Sequence, residues 1–113
     1  MDIATLSRTA NLRRADALTM IHKAGAGHTG GALSSLDILT CRYYDGLKTS
    51  PARIHDPDRD RFILSKGHSV EGYLAILADQ GYFDKSELND FSQPGSRLIG
   101  HPTNKVPGME VCS

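Results

Sequence analysis

What most limits the folds open to this chain is its shortage of strands. Among 113 residues a single short apolar run, "RFILS" from Arg61 to Ser65, lies between turn-forming segments. Such a run suits a strand buried on both faces, whereas apolar positions elsewhere recur at helical spacing. One strand cannot make a sheet, because its backbone groups need a neighbouring strand to pair with. The order helix, helix, strand, helix, helix fits an α/β layer and reads as the opening of a larger domain.

From Thr5 to Lys23 the apolar positions Leu6, Ala10, Ala17 and Ile21 keep to one face of a helix that Gly25 ends. The stretch "SSLDILTCRYYDGL" predicts a second helix. Ser34, three residues before Asp37, is an acidic variant of the N-terminal capping signature; Leu36, Leu39 and Tyr43 follow at helical spacing, and Gly46 marks the stop. The proline- and charge-rich "KTSPARIHDPDRD" reads as a surface connection, and His55 within it is assigned no role. Val70, Tyr73, Leu74 and Leu77 stand at i, i+3, i+4 and i+7, so a third helix follows the strand within about five residues and stops at Gly81. Asp84 and Glu87 open a shorter fourth helix with Leu88 and Phe91 as its apolar contacts. The tail from Ser92 holds three prolines and three glycines and reads as irregular.

At 39% hydrophobic the chain can bury one modest core and is too short for two domains. Thirteen basic residues balance thirteen acidic ones with no basic block, which removes the electrostatic footprint of a nucleic-acid binder. Cys41 and Cys112 form no C-x-x-C pair and fit two reduced cytoplasmic thiols better than a disulfide framework or a zinc site. The N-terminus has no apolar core of signal-peptide length, and no window approaches a membrane span. These features predict a soluble cytoplasmic protein with no nucleic-acid or membrane partner.

The residues that carry chemistry are histidines. His28 stands in "KAGAGHTGG", where glycines let a backbone come close to something else, so the loop is either a site or a tight turn. His68 in "SKGHSVEG" lies between the strand and the helix after it. There it either caps the helix or joins the free N–H groups that receive an anion such as phosphate at a strand's carboxyl end. His101 in "LIGHPTNKVPG" is held in extended backbone by the following proline, a rigidity that serves a catalytic group and an ordinary turn alike. Three histidines each preceded by glycine, 40 and 33 residues apart, are harder to explain as three independent turns. Converging imidazoles suit polyhydroxylated or phosphorylated substrates, and the spacing matches no zinc signature.

Taken in order, "AGAGHTGGALSSLDILTCRYYDGL", "DRDRFILSKGHSVEGYLAIL" and "GSRLIGHPTNKVPGMEVCS" resemble the start of the thiamin diphosphate-binding domain of transketolases. The likeness is to the separate N-terminal subunits found where transketolase is encoded as two chains, and it runs from about Leu12 to Ser113. It implies an α/β fold, the N-terminal part of a three-layer α/β/α thiamin diphosphate-binding architecture. The implied reaction is transfer of a two-carbon ketol unit between sugar phosphates, with thiamin diphosphate and Mg²⁺ as cofactors. It also implies that His28 and His101 are catalytic and substrate-binding: His28 meets the sugar hydroxyls and assists proton transfer, and His101 reaches the hydroxyl end of the donor. His68, with Gly67 before it, would lie against the cofactor's diphosphate. The implied partners are the remaining polypeptides of a hetero-oligomeric transketolase, including a pyrimidine-binding C-terminal subunit.

Three departures qualify the likeness. Thr29 replaces the proline many relatives carry in "GHPGG", and Glu71 stands where small or apolar residues are common. The family's Gly-Asp-Gly magnesium motif is missing, so no metal ligand is expected in this chain; the chain reads as a truncated portion, residues 1–113 of an incomplete domain, inactive alone. A second reading makes it a non-catalytic remnant or docking module associated with an intact transketolase. A third makes it a related thiamin enzyme such as a dihydroxyacetone or deoxyxylulose phosphate synthase, which the "GHP" and "S-x-GH" details disfavour.

Overall fold

The computed structural model describes residues 1–110. Three α-helices pack against one another: α1 (Ile3–Ala24), α2 (Thr29–Cys41) and α3 (Val70–Asp79). Asp2 sits in extended backbone before α1, and its side chain accepts a hydrogen bond from the Thr5 N–H at 2.7 Å, satisfying an amide that the first turn leaves free. Gly25 closes α1 at φ 71°, a left-handed conformation open to glycine without a steric penalty. Ala10, Ala17 and Met20 are buried along α1, with Leu6 and Ile21 half-buried beside them. The apolar spacing passes over Arg13, yet it is buried on this face: Nε lies 2.9 Å from Asp16 and Nη1 2.5 Å from Asp79 at the end of α3. Tyr44 also donates to Asp79, so a small polar network ties α1 to α3.

Helix α2 starts five residues before the predicted Ser34. Ser34 caps nothing; its Oγ donates back to Gly31 O at 3.2 Å, and His28 is the N-cap residue. Gly30 and Gly31 cost the helix only about 1 kcal/mol each relative to alanine, a penalty that tertiary packing overrides. The helix runs into a π-helical turn, Arg42–Gly46, closed by the Leu47 N–H donating to Arg42 O at 2.7 Å, so its end falls at Gly46 as expected. Leu36, Leu39 and Tyr43 are buried, as their spacing predicts.

A 3₁₀ turn, Gly67–Ser69, leads into α3, which is buried from Val70 to Ala78, and Gly81 follows at φ 90°. Helices α2 and α3 come close together at Gly72, where an added Cβ would lie 2.9 Å from Ala32 O and 3.0 Å from Leu36 Cγ. The short fourth helix is 3₁₀ rather than α: Asp84 caps Lys85–Asp90 by accepting from the Ser86 N–H at 2.9 Å, and Leu88 and Phe91 are buried. Residues 92–110 are irregular, as expected, and contribute Leu98, Val106 and Met109 to the core. Under them the Tyr43 and Tyr73 hydroxyls share a buried hydrogen bond of 2.5 Å, and burial pushes both phenols well above the usual tyrosine range.

The predicted strand is a correction. Arg61–Ser65 forms no β-ladder among the described residues, and it is not buried on both faces: Leu64 is buried while Ile63 is 46% exposed. A strand exists only through pairing, and no second strand is present among the described residues to pair with it. Cys41 is a free, exposed thiol, and Cys112 lies outside the described residues. No helix among the described residues is long and apolar enough to cross a membrane.

Candidate functional site

The three glycine-preceded histidines meet. His28 at the N-cap of α2, His68 in the turn before α3 and His101 in the irregular tail come from segments far apart in sequence. The His28 ring centroid lies 6.0 Å from that of His68 and 5.9 Å from that of His101, with interplanar angles of 72° and 65°. All three are exposed, so the cluster forms an open face rather than an enclosed core. Gly100 comes against His28, with an added Cβ 3.8 Å from its Cε1, and Pro102 after His101 is buried. His55, to which the sequence gives no role, lines a separate cavity of about 290 Å³ with Tyr43, Arg59, Phe62, Tyr82 and Glu110, away from the three converging rings.

Local sequence explains the approach of these segments. Gly31 faces the turn before α3: an added Cβ would stand 3.3 Å from His68 Cδ2, 3.3 Å from Ser69 Cβ and 3.4 Å from Lys66 Cε. The small residue therefore lets the N-terminus of α2 come against the N-terminus of α3. Two helix starts then share one neighbourhood and bring their partial positive charges together, with the Glu71 carboxylate in the first turn of α3. Lys66 adds a full charge there, its Nζ donating to Ser34 Oγ at 3.3 Å, and the turn is held by the Ser69 N–H and Oγ donating to Lys66 O at 2.9 and 2.7 Å. Gly67 is buried within the turn, and His68 projects from it. The Lys66 ammonium, the His68 ring and the helix ends give this corner the chemistry to receive an anion.

Glu71, noted in the sequence only as a departure from a pattern, belongs to the same site. It is fully buried on α3, and its Oε2 accepts from the backbone N–H of His28 at 2.7 Å and lies 3.3 Å from His28 Nδ1. Sequence reasoning also passes over Lys66. A charged residue beside a glycine-histidine pair is the signal that could have found Lys66; a lone carboxylate inside an apolar helical run could have found Glu71. Among the described residues no group of three or more His, Cys, Asp or Glu side chains could hold a metal ion.

Comparison with known proteins bears on this geometry. Residues 5–113 match the family described as transketolase, thiamine diphosphate binding domain. The chain is 39% identical over 111 residues to an apulose-4-phosphate transketolase subunit of Phocaeicola vulgatus, covering 98% of this chain and 40% of that protein. It is 40% identical over 96 residues to the 6-deoxy-6-sulfo-D-fructose transketolase subunit SqwG of a Clostridium species, covering 85% of this chain and 35% of that one. Among solved structures, the transketolase of Campylobacter jejuni superposes with a TM-score of 0.88 at 33% identity, over 96% of this chain and 17% of that one. The chain thus spans about two fifths of the length of such curated relatives. It takes the fold of the corresponding N-terminal part of a thiamine diphosphate enzyme, to which the described residues contribute helices.

Proposed function

Because this chain belongs to the transketolase family through its thiamine diphosphate-binding domain, we propose that it forms part of a site for transferring a two-carbon ketol unit between sugar phosphates. The observation that carries this reading is the convergence of the His68 and His101 rings on His28, each within 6.0 Å of it, from three separate segments. Thiamine diphosphate, when bound, supplies the carbanion chemistry that no protein side chain offers. The residues beside the cluster suit its anionic end: Lys66, His68 and the buried Gly67 lie where the N-termini of α2 and α3 meet, the cradle that the missing Cβ of Gly31 leaves open. His28 and His101 bind sugar hydroxyls and exchange protons with them, the task for which neutral imidazole is suited near neutral pH.

The same reading assigns Mg²⁺ to the cofactor's diphosphate, with hard oxygen ligands drawn from outside the described residues. Relatives whose names mark them as subunits of a divided transketolase support a second polypeptide as partner; in the proposed hetero-oligomer that partner binds the pyrimidine and completes the site. The free Cys41 thiol supports a cytoplasmic setting. A chimera tests the function: this chain replaces the matching segment of the Campylobacter jejuni transketolase, and ketol transfer is followed by a coupled assay. The expected result is an active chimera in which His28→Ala and His101→Ala each lower kcat/KM by about 100-fold or more, the range of a lost acid–base group. A folded chimera that binds thiamine diphosphate yet transfers no ketol, or one indifferent to both substitutions, refutes the reading.

A further inference from the structure

Glu71 is a carboxylate with no exposed surface on a helix otherwise made, from Val70 to Ala78, of apolar and small side chains. Burying an ionisable group is costly unless its partners compensate, so the partners show what it is for. Its Oε2 faces two nitrogens of one residue, the His28 backbone N–H at 2.7 Å and the ring Nδ1 at 3.3 Å. Oε1 is buried with no hydrogen-bond partner among the described residues, so the carboxylate's contacts concentrate on His28. Gly27 makes the approach possible: an added Cβ there would stand 2.7 Å from Ile21 Cγ1 and 3.0 Å from Glu71 Oε2. A loop fastener needs only the amide contact. The ring contact, a close approach rather than an aligned hydrogen bond, adds an electrostatic preference, because a nitrogen lone pair facing an anionic oxygen is repelled, whereas an N–H facing it is attracted.

We propose that Glu71 is the positioning residue for His28. It holds the imidazole with its proton on Nδ1, so that Nε2 is the acceptor offered to a hydroxyl-bearing ligand at the three-histidine cluster. The inference rests on the reading of that cluster as a ketol-transfer site and deepens it, since an acceptor nitrogen is what taking a proton from a sugar hydroxyl requires. Buried, bonded to the N-cap backbone of α2 and close against the ring, Glu71 sets both the place and the tautomer of the group, as outer carboxylates do for working histidines elsewhere.

Long-range proton–nitrogen NMR of the uniformly ¹⁵N-labelled chain, at a pH above the imidazole titration, reads the tautomer directly. The expected result is the Nδ1–H form at His28, the minority tautomer of free histidine in water, with a downfield His28 amide. Glu71→Met should reverse the tautomer and move that amide upfield, whereas Glu71→Gln, which keeps an acceptor oxygen, should preserve the Nδ1–H form. An Nε2–H tautomer in the unsubstituted chain, or a His28 spectrum unchanged in folded Glu71→Met, overturns the proposal. The first of these needs no variant, so a Glu71→Met chain that fails to fold leaves the test decisive. None of these spectra depends on turnover: an inactive chimera refutes ketol transfer, and a wrong tautomer refutes the positioning role.

Discussion

Gly72→Ala puts the packing of α2 on α3 under test. The new Cβ would stand 2.9 Å from Ala32 O and 3.0 Å from Leu36 Cγ. Carbon–oxygen contacts settle at about 3.3–3.6 Å, so the α2 backbone must retreat by roughly half an ångström, and a backbone cannot swing aside as a long side chain can. Overpacking of this kind costs about 1–3 kcal/mol. Alanine also favours a helix interior over glycine by about 1 kcal/mol, which masks part of that cost. Gly30→Ala, in the first turn of α2, supplies a clash-free control: an added Cβ there meets nothing within 4 Å. Gly72→Ala should melt below it by the overpacking cost less the propensity gained, about 1–2 kcal/mol, or roughly 4 °C or more in Tm for a domain near this size. Thermal melts by circular dichroism measure it. A Gly72→Ala chain that melts as high as Gly30→Ala would refute the close approach of the two helices.

Alkaline and acid titrations test two further features. Burial raises the phenols of Tyr43 and Tyr73 beyond the usual range, and burial together with the Asp79 hydrogen bond lifts Tyr44 to about 12. A raised folded pKa means that the unfolded chain gives up its proton first, so this stability is full below about pH 10 and falls as pH rises from there. Ultraviolet absorbance should therefore show these three phenols ionising only beyond pH 10 as the chain unfolds; ionisation at pH 10 with native circular dichroism would contradict it. At the acid end, the Ser86 N–H holds the Asp84 carboxyl below the usual aspartate range. Its contribution is present above about pH 4 and is lost as pH falls through the lower folded value. Asp84→Asn should flatten the decline of Tm in that window, and an unchanged slope would refute the cap.

Helices α1 and α3 were legible because their apolar positions repeat at helical spacing and end on glycines, Gly25 and Gly81, whose positive φ the structure bears out. The start of α2 was not, since Gly30 and Gly31 signal a loop locally while the contact between Gly31 and the Lys66–Ser69 turn is a long-range fact. Arg61–Ser65 was misread for a related reason: apolar composition announces a strand, but pairing decides it. The recurrence of glycine before histidine pointed to a common use of His28, His68 and His101, and their rings do come together, though nothing in the spacing fixes the distances. The burial of Arg13 and Glu71 was not legible, because hydrophobic periodicity has no symbol for a charge buried with partners.

The stretch around Ile63 bears on how the protein behaves in a tube. Backbone around Ile63 that joins no ladder among the described residues, beside an exposed isoleucine, is a shape that invites a second copy to pair with it, the first step of edge-to-edge aggregation. Arg61 and Lys66 flank that stretch, both exposed, and two copies laid side by side in parallel register would bring like charges together. The like charges oppose such pairing of this stretch, and salt weakens that opposition by screening them.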